Sequence, residues 1–247
     1  MNIHVVVTIN EDLIPSFTQP YLINQSKAIS RVTLLANTHK TIIRIAELSK
    51  HDRWLTPKTK WRLVQENFPF GTLLNEDTHI FDGTLFTNKA GKRCFLMAAL
   101  PKIISEAIAD MSIKNWGNIH KIQRLDTLEH MMFKHYAHVA DKSRDETGKR
   151  IKNHAPQWVI IPQEEGYRIL VLDEGLPKNT YRVSNHPELR EAELDLVLDV
   201  AVPSNIVILS FNSNNKADGL KSNNSWIESY AKKHGIVEIG HEFFTNA

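Results

Sequence analysis

Apolar positions along this chain follow two periods, and the switches between them mark out strands and helices. Residues 3–9 hold the run Val5-Val6-Val7-Thr8-Ile9, which predicts a strand because β-branched side chains suit a pleated surface. Pro15 and Pro20 interrupt the next stretch, so 11–28 reads as loop or a weak edge segment. Residues 31–36 and 40–46 are two strand-like runs about Asn37-Thr38-His39, and together they predict a hairpin. Thr56-Pro57 predicts a helix start, since a hydroxyl can cap the first turn and proline suits the first helical position. That helix runs to about Asn67, with Trp61, Val64 and Phe68 on one side, and stops before Pro69. Residues 76–86 and 92–99 predict two more strands about the turn Asn88-Lys89-Ala90-Gly91.

Pro101 opens a helix to about Lys114, with Ile104, Ile108 and Met111 at helical spacing. Residues 118–123 predict a short strand, and 127–139 a helix whose apolar positions are Leu128, Met131, Met132, Tyr136 and Val139. The polar, charged stretch 141–155 reads as a solvated loop. Three strands come next at 157–162, 167–172 and 179–183, joined by turns at Glu165-Gly166 and Glu174-Gly175. After them come a helix at 187–200, a strand at 205–211, a polar loop at 212–224, a helix at 226–234 closed by Gly235, and a strand at 236–239. Mixed strands with interspersed helices and no fixed repeat predict an α/β layered fold.

Composition narrows the class. With 247 residues, 42% apolar and 23% charged, the chain has a globular mix and room for two lobes sharing a core. A net charge of +2 gives no general attraction to nucleic acid or anionic lipid, so neither is expected as a partner. Cys94 is the one cysteine, which leaves no intrachain disulfide and no thiol pair for zinc. It lies in the apolar run 94–100 and reads as a small core hydrophobe. The N-terminus lacks the basic and long apolar regions of a signal peptide, and no window approaches the about 20 apolar residues that span a bilayer. The expected location is therefore cytoplasmic, at most peripheral on the inner face of the membrane, with any membrane contact made through a partner.

Several short strings occur in a familiar order. A strand pair from Val32 to Ala46 leads through Leu48 to a helix that exits at Asn67-Phe68-Pro69-Phe70. A hairpin comes next at Asp77 to Phe86 and Lys92 to Ala99, then the junction Ala98-Ala99-Leu100-Pro101-Lys102, and then the helix carrying Leu125 to Tyr136. Trp158 to Gly175 and Asn205 to Ile239 supply the start and end of a second lobe. In these features the chain resembles the actin-like cytoplasmic platform proteins of type IV pilus assembly and type II secretion. The resemblance implies an actin-like (ribonuclease H-like) two-lobed α/β fold, with mixed sheets flanked by helices. The lobes would be 1–155, shortened in its N-terminal part, and 156–247. It also implies a scaffold role, with an assembly ATPase and the cytoplasmic tail of a membrane protein as partners.

Nucleotide-binding actin-like proteins carry an acidic-Gly phosphate turn after the first strand of each lobe, and this chain departs from that pattern. The first strand runs Val5-Val6-Val7-Thr8-Ile9-Asn10-Glu11 without glycine. The second turn, Ile161-Pro162-Gln163-Glu164-Glu165-Gly166, lacks the Asp-x-Gly-x-x-x-Thr arrangement, and its two glutamates would repel a triphosphate. The adenine-side turn would be Ser210-Phe211-Asn212-Ser213, without a Gly-Gly pair. The expectation is a pseudo-ATPase with no cofactor.

Other candidate chemistry reads as structure. Asp173-Glu174 with Asp126, Asp77 or Asp82 would suit two metal ions, yet Asp173-Glu174-Gly175 is also a favoured hairpin turn, and the turn is expected. His130, His135 and His138 share a helix at spacings of five and three, not the i, i+4 spacing of zinc pairs, so they read as surface histidines. Ser204, Ser210, Ser213, Ser222 and Ser225 lie in polar stretches with no nucleophile elbow. Lys142, Arg144, Lys149, Arg150 and Lys152 alternate with Asp141, Asp145 and Glu146 as a solvated loop. Trp54, Trp61 and Trp116 are expected in the core. No catalytic, cofactor or metal residue is assigned. The leading function is a non-catalytic scaffold of a pilus-assembly or secretion-type machine. The alternatives are a nucleotide-dependent kinase or hydrolase of actin-like fold and a metal-dependent nuclease of ribonuclease H-like fold.

Overall fold

The computed structural model describes residues 2–10, 12–17, 31–49, 56–67, 77–88, 90–116, 122–142, 156–210, 217–236 and 238–243. Alternation along the first strands decides what each face packs on. In β1 (Asn2–Ile9) and β3 (Arg31–Asn37), Val5, Val7, Ile9, Val32, Leu34 and Ala36 meet Ile104 and Ile108 of α2 (Lys102–Trp116). Val6 and Leu35 face the other way, onto Leu128, Met132 and Phe133 of α3 (Leu128–Lys142). β3 is flanked in parallel by β1 and β7 (Ile122–Thr127), and the short β2 (Pro15–Phe17) closes the edge antiparallel to β1.

A second sheet has the order β4-β6-β5, all antiparallel, from β4 (Ile42–Glu47), β5 (His79–Thr87) and β6 (Arg93–Pro101). α1 (Pro57–Asn67) begins where expected, the Thr59 amide donating to Thr56 Oγ1 at 3.2 Å, and lays Leu63 and Val64 on Ala46, Phe95, Met97 and Ala99. The expected hairpin of residues 31–46 is corrected. Both strands exist, but they join different sheets, because both edges of β3 are taken by parallel neighbours. The turn at 38–41 passes the chain from one sheet to the next instead of folding it back.

The third sheet has the order β10-β9-β8-β11-β12, from β8 (Gln157–Gln163), β9 (Gly166–Asp173), β10 (Leu176–Ser184), β11 (Asn205–Ser210) and β12 (Glu238–Phe243). Its first three strands are antiparallel and the last two run parallel to β8. α4 (Pro187–Val200) and α5 (Ala217–Lys233) are the crossovers. They cover one face, with Leu194, Val197, Ile227 and Tyr230 on Trp158, Ile160, Ile169, Val171, Ile206 and Ile208. The other face, Val159, Ile161, Leu170, Leu172 and Leu209, joins the core around α3. One apolar core thus runs from β1 through α3 to the five-stranded sheet, each large side chain contributing about 1.5–3 kcal/mol.

Helix ends follow their local chemistry. Gly235 closes α5 at φ 70°, with the Ile236 amide donating to Ala231 O at 2.9 Å and the Gly235 amide to Lys232 O at 3.3 Å. α5 corrects the expected loop, since it begins at Ala217, nine residues before the expected start at Trp226. Extending a helix that already packs outweighs the weak propensity of its polar first half. The turn Glu174-Gly175 has positive φ at both residues, 53° and 75°, the geometry of a two-residue hairpin turn. No helix among the described residues is long and apolar enough to cross a membrane.

Candidate functional site

Strand β9 reads Gly-Tyr-Arg-Ile-Leu-Val-Leu-Asp, a buried run broken by one guanidinium. Alternation places Arg168 on the same face as Leu170 and Leu172, the face that meets α3. Glu129 lies in the first turn of α3 and is fully buried there. The two meet, with Arg168 Nε 3.3 Å from Glu129 Oε1. Hydrogen bonds extend the pair into a seam. Arg168 Nη2 donates to Thr41 O at 2.9 Å and to His39 O at 3.2 Å. Arg182 Nη2 donates to Thr41 O at 3.2 Å. Gln163 Nε2 donates to Glu129 Oε1 and to Asn37 Oδ1, both at 3.2 Å, and Asn37 Nδ2 donates to Pro162 O at 2.9 Å.

These residues stand at two facing turns. One joins β3 to β4 and reads Asn37-Thr38-His39-Lys40-Thr41, and the other joins β8 to β9 at Glu164-Glu165. His39 Nδ1 lies 2.8 Å from Glu165 Oε2, so the turns are bonded tip to tip. The turn opposite Glu165 is therefore 37–41. At the end of β1, Asn10 caps a turn into β2, its Oδ1 accepting from the Ile14 amide at 2.7 Å. Gly166 has φ 152°, and a Cβ there would stand 2.2 Å from Val183 O. That glycine answers the close approach of β10; its open side faces protein.

Electrostatics follow from burial. Loss of water pushes the Glu129 carboxyl up, and the Arg168 guanidinium beside it opposes that shift without overcoming it. Arg168 stays charged because its ordinary value is so high. Glu129 Oε2 and Thr41 Oγ1 are buried without a hydrogen-bond partner among the described residues. His39 is pulled down, mainly by burial, with Glu165 pulling the other way and Arg182, Lys40 and Arg168 adding to the drop. The neutral imidazole can donate Nδ1–H to Glu165, a hydrogen bond that holds the two turns closed. The seam binds its own backbone and side chains: the Arg168 Nη2, Arg182 Nη2, Gln163 Nε2 and Asn37 Nδ2 donors are directed at groups of this chain, while Arg168 Nε has the Glu129 carboxylate beside it without a hydrogen bond.

Of the other candidates, the structure brings Asp82 and Asp126 to the lining of one pocket, with Leu100 and Thr127 beside them. Asp126 sits at the end of β7, Asp82 on β5, Asp77 before it, and Asp173 and Glu174 at the β9–β10 turn. Among the described residues no three His, Cys, Asp or Glu side chains gather in a metal-binding arrangement. His130 corrects the expectation of surface histidines, for it is fully buried. Its Nδ1 is 2.7 Å from Asp126 Oδ1 and its Nε2 3.0 Å from Thr84 Oγ1, so it ties β7 and α3 to β5. His135 is exposed beside Tyr136, while the side chain of His138 lies outside the described residues. Also outside them are Trp54, the side chains of Trp61 and Trp116, residues 143–155, and the turn at 211–213. Cys94 is buried, and burial pushes its thiol up, away from reactivity.

Asn37, Glu129, Gln163 and Arg168 were missed as a group by sequence reasoning. The available signal was Arg168, a lone charge inside an apolar strand, which burial obliges to find a carboxylate and carbonyls.

No family model matches the sequence, and no curated protein matches it. Solved structures do. A chain of the PilM–PilN type IV pilus biogenesis complex has a TM-score of 0.59 at 10% identity, over 98% of this chain and 90% of that one. A protein of unknown function with an actin-like ATPase fold, from Bacteroides thetaiotaomicron, gives 0.48 at 8% identity over 98% and 90%. The cytoplasmic domain of EpsL, an inner-membrane component of the Vibrio cholerae type II secretion system, gives 0.47 at 9% over 93% and 94%. At such identities the likeness is one of fold. With three antiparallel strands leading into two parallel ones through helical crossovers, the chain has the actin-like α/β fold, similar over nearly its whole length to a chain of the PilM–PilN complex.

Proposed function

We propose that this chain is a non-catalytic docking platform of a pilus-assembly or secretion-type machine, working on the cytoplasmic side of a membrane. The observation that most supports it is the bond from His39 to Glu165 across the two turns, backed by the buried Glu129–Arg168 pair. A triphosphate needs open backbone amides and positive charge, and these turns present a carboxylate and side chains already paired with one another. The likeness to a chain of the PilM–PilN complex supports the choice of machine.

In this reading residues 1–155 and 156–247 are the two lobes, and no cofactor or nucleic acid takes part. One face meets an assembly ATPase and another the cytoplasmic tail of a membrane protein, each interface covering about 800 Å² per partner. The test is deletion of the gene in its host, with surface pili and secreted protein measured before and after rescue by the wild-type chain. Loss restored by rescue is expected, and the purified chain should not hydrolyse ATP. Unchanged pili and secretion, or steady ATP turnover by the chain alone, would overturn it.

A further inference from the structure

Four of the exposed large apolar side chains among the described residues lie on α4 or just beyond it. Leu189, Leu196 and Val200 are 58%, 66% and 52% exposed, and Val202 just beyond the helix is 61% exposed. Spacings of seven and four put the first three on one side of the helix, away from Leu194 and Val197, which face the sheet. The stripe is about 20 Å long, enough for three to four turns of a partner helix.

Charge beside the stripe has one sign. α4 holds Glu188, Glu191, Glu193, Asp195 and Asp199 against the single cation Arg190, in a chain whose net charge is +2. Arg190 is turned toward α5, 4.4 Å over the Trp226 ring. Lys233 is bonded to Glu191, Tyr230 Oη donates to Asp195 at 2.8 Å, and Glu193 accepts from the Ser184 amide at 2.6 Å. Glu188 and Asp199 are exposed and make no hydrogen bond or ion pair among the described residues, Asp199 reaching Tyr230 only through its charge. An apolar ridge flanked by unpaired carboxylates is complementary to leucines flanked by lysine or arginine.

We propose that this face of α4 docks a basic amphipathic helix of a protein partner. The partner's apolar side packs between Leu189, Leu196 and Val200, and its cations reach Glu188 and Asp199. The inference rests on the docking role above and names the chemistry of one partner. Segments on the cytoplasmic side of membrane spans are rich in lysine and arginine, which suits the tail of a membrane protein.

Calorimetric titration of the full chain with two synthetic helices tests it. One is built from leucine and lysine; the other has the same leucine pattern with glutamate. The lysine helix should bind, more weakly as salt rises, and the glutamate helix should not. Leu196→Glu should weaken binding at least about tenfold, and Glu188→Lys with Asp199→Lys should do the same while admitting the glutamate helix. All three sites are exposed, so the variants should unfold at the wild-type temperature. Equal binding of both helices, no binding, or no effect of Leu196→Glu would overturn the proposal. So would a dimer that Leu196→Glu dissociates, which makes a second copy the occupant. A tenfold gain in affinity on neutralising Lys149, Arg150 and Lys152 would assign the face to this chain's own basic segment. Each of these failures leaves the deletion phenotype untouched, so the docking role and its partner stand or fall separately.

Discussion

His39 and Glu165 are distant in chain order and meet at 2.8 Å, joining the turn after β3 to the turn before β9. Around that contact the backbone carbonyls of His39 and Thr41 are held by Arg168, and Thr41 also by Arg182. The two turns that face each other in this fold are thus fastened by side chains from both sides.

The fastening should depend on pH. His39 is shifted below the ordinary histidine value of 6.5, chiefly by burial, so the unfolded chain takes up a proton first as pH falls. Stability tied to His39 is therefore complete above about 6.5 and lost as pH drops through its lowered value. Thermal unfolding between about pH 5 and 8 should show a smaller acid loss in His39→Gln than in the wild type. Glu129, shifted upward, contributes the opposite slope at the acid end, and His79 contributes the same sign as His39; both cancel in the comparison. Equal slopes in the two proteins would contradict the role given to His39.

Arg168→Ala leaves Glu129 buried without its cation and should cost about 3–5 kcal/mol in urea unfolding. Arg168→Met combined with Glu129→Leu removes both charges and should recover most of that loss. A single variant of wild-type stability would show that the pair is exposed in solution.

Much of the layout was legible in the sequence because it follows from short-range rules. Thr56-Pro57 began α1, Gly235 ended α5, and Glu174-Gly175 divided β9 from β10, while the turn expected at Glu165-Gly166 lies one residue earlier, at 164–165, with Gly166 opening β9. The pairing of β3 was not legible. Its apolar run suits a hairpin strand or a central parallel strand equally, and only the placing of β1 and β7 decides. His130 looked like one of three surface histidines, since its partners Asp126 and Thr84 are four and 46 residues away and only one of them is near in sequence. The seam stayed hidden for the same reason: Asn37, Glu129 and Arg168 become neighbours only when α3 docks between the sheets.

Gly166 and Gly91 offer a paired test of backbone fit. A Cβ at Gly166 meets Val183 O at 2.2 Å, whereas one at Gly91, at φ 74°, meets nothing within 4 Å. Gly91→Ala should cost about 1 kcal/mol from its dihedral alone. Gly166→Ala should cost about 1–3 kcal/mol, because β9 and β10 must part to admit the methyl. The reverse order would mean that β10 lies further from the turn than described.

Phe133 is fully buried in the core that joins α3 to Leu35 on one side and Leu170 on the other. Phe133→Ala should cost about 3–5 kcal/mol. Because that core is continuous, circular dichroism and tryptophan fluorescence should report one coincident unfolding transition. Trp158 and Trp226 lie in the five-stranded half, so a separate fluorescence transition would show that the halves unfold independently.

Thermal unfolding with and without saturating magnesium–ATP bears most directly on the idea that this chain's own side chains fill the space between the turns. No change in unfolding temperature is expected. Stabilisation that grows with nucleotide, reaching about 2.7 kcal/mol at 100 times the dissociation constant, would contradict it.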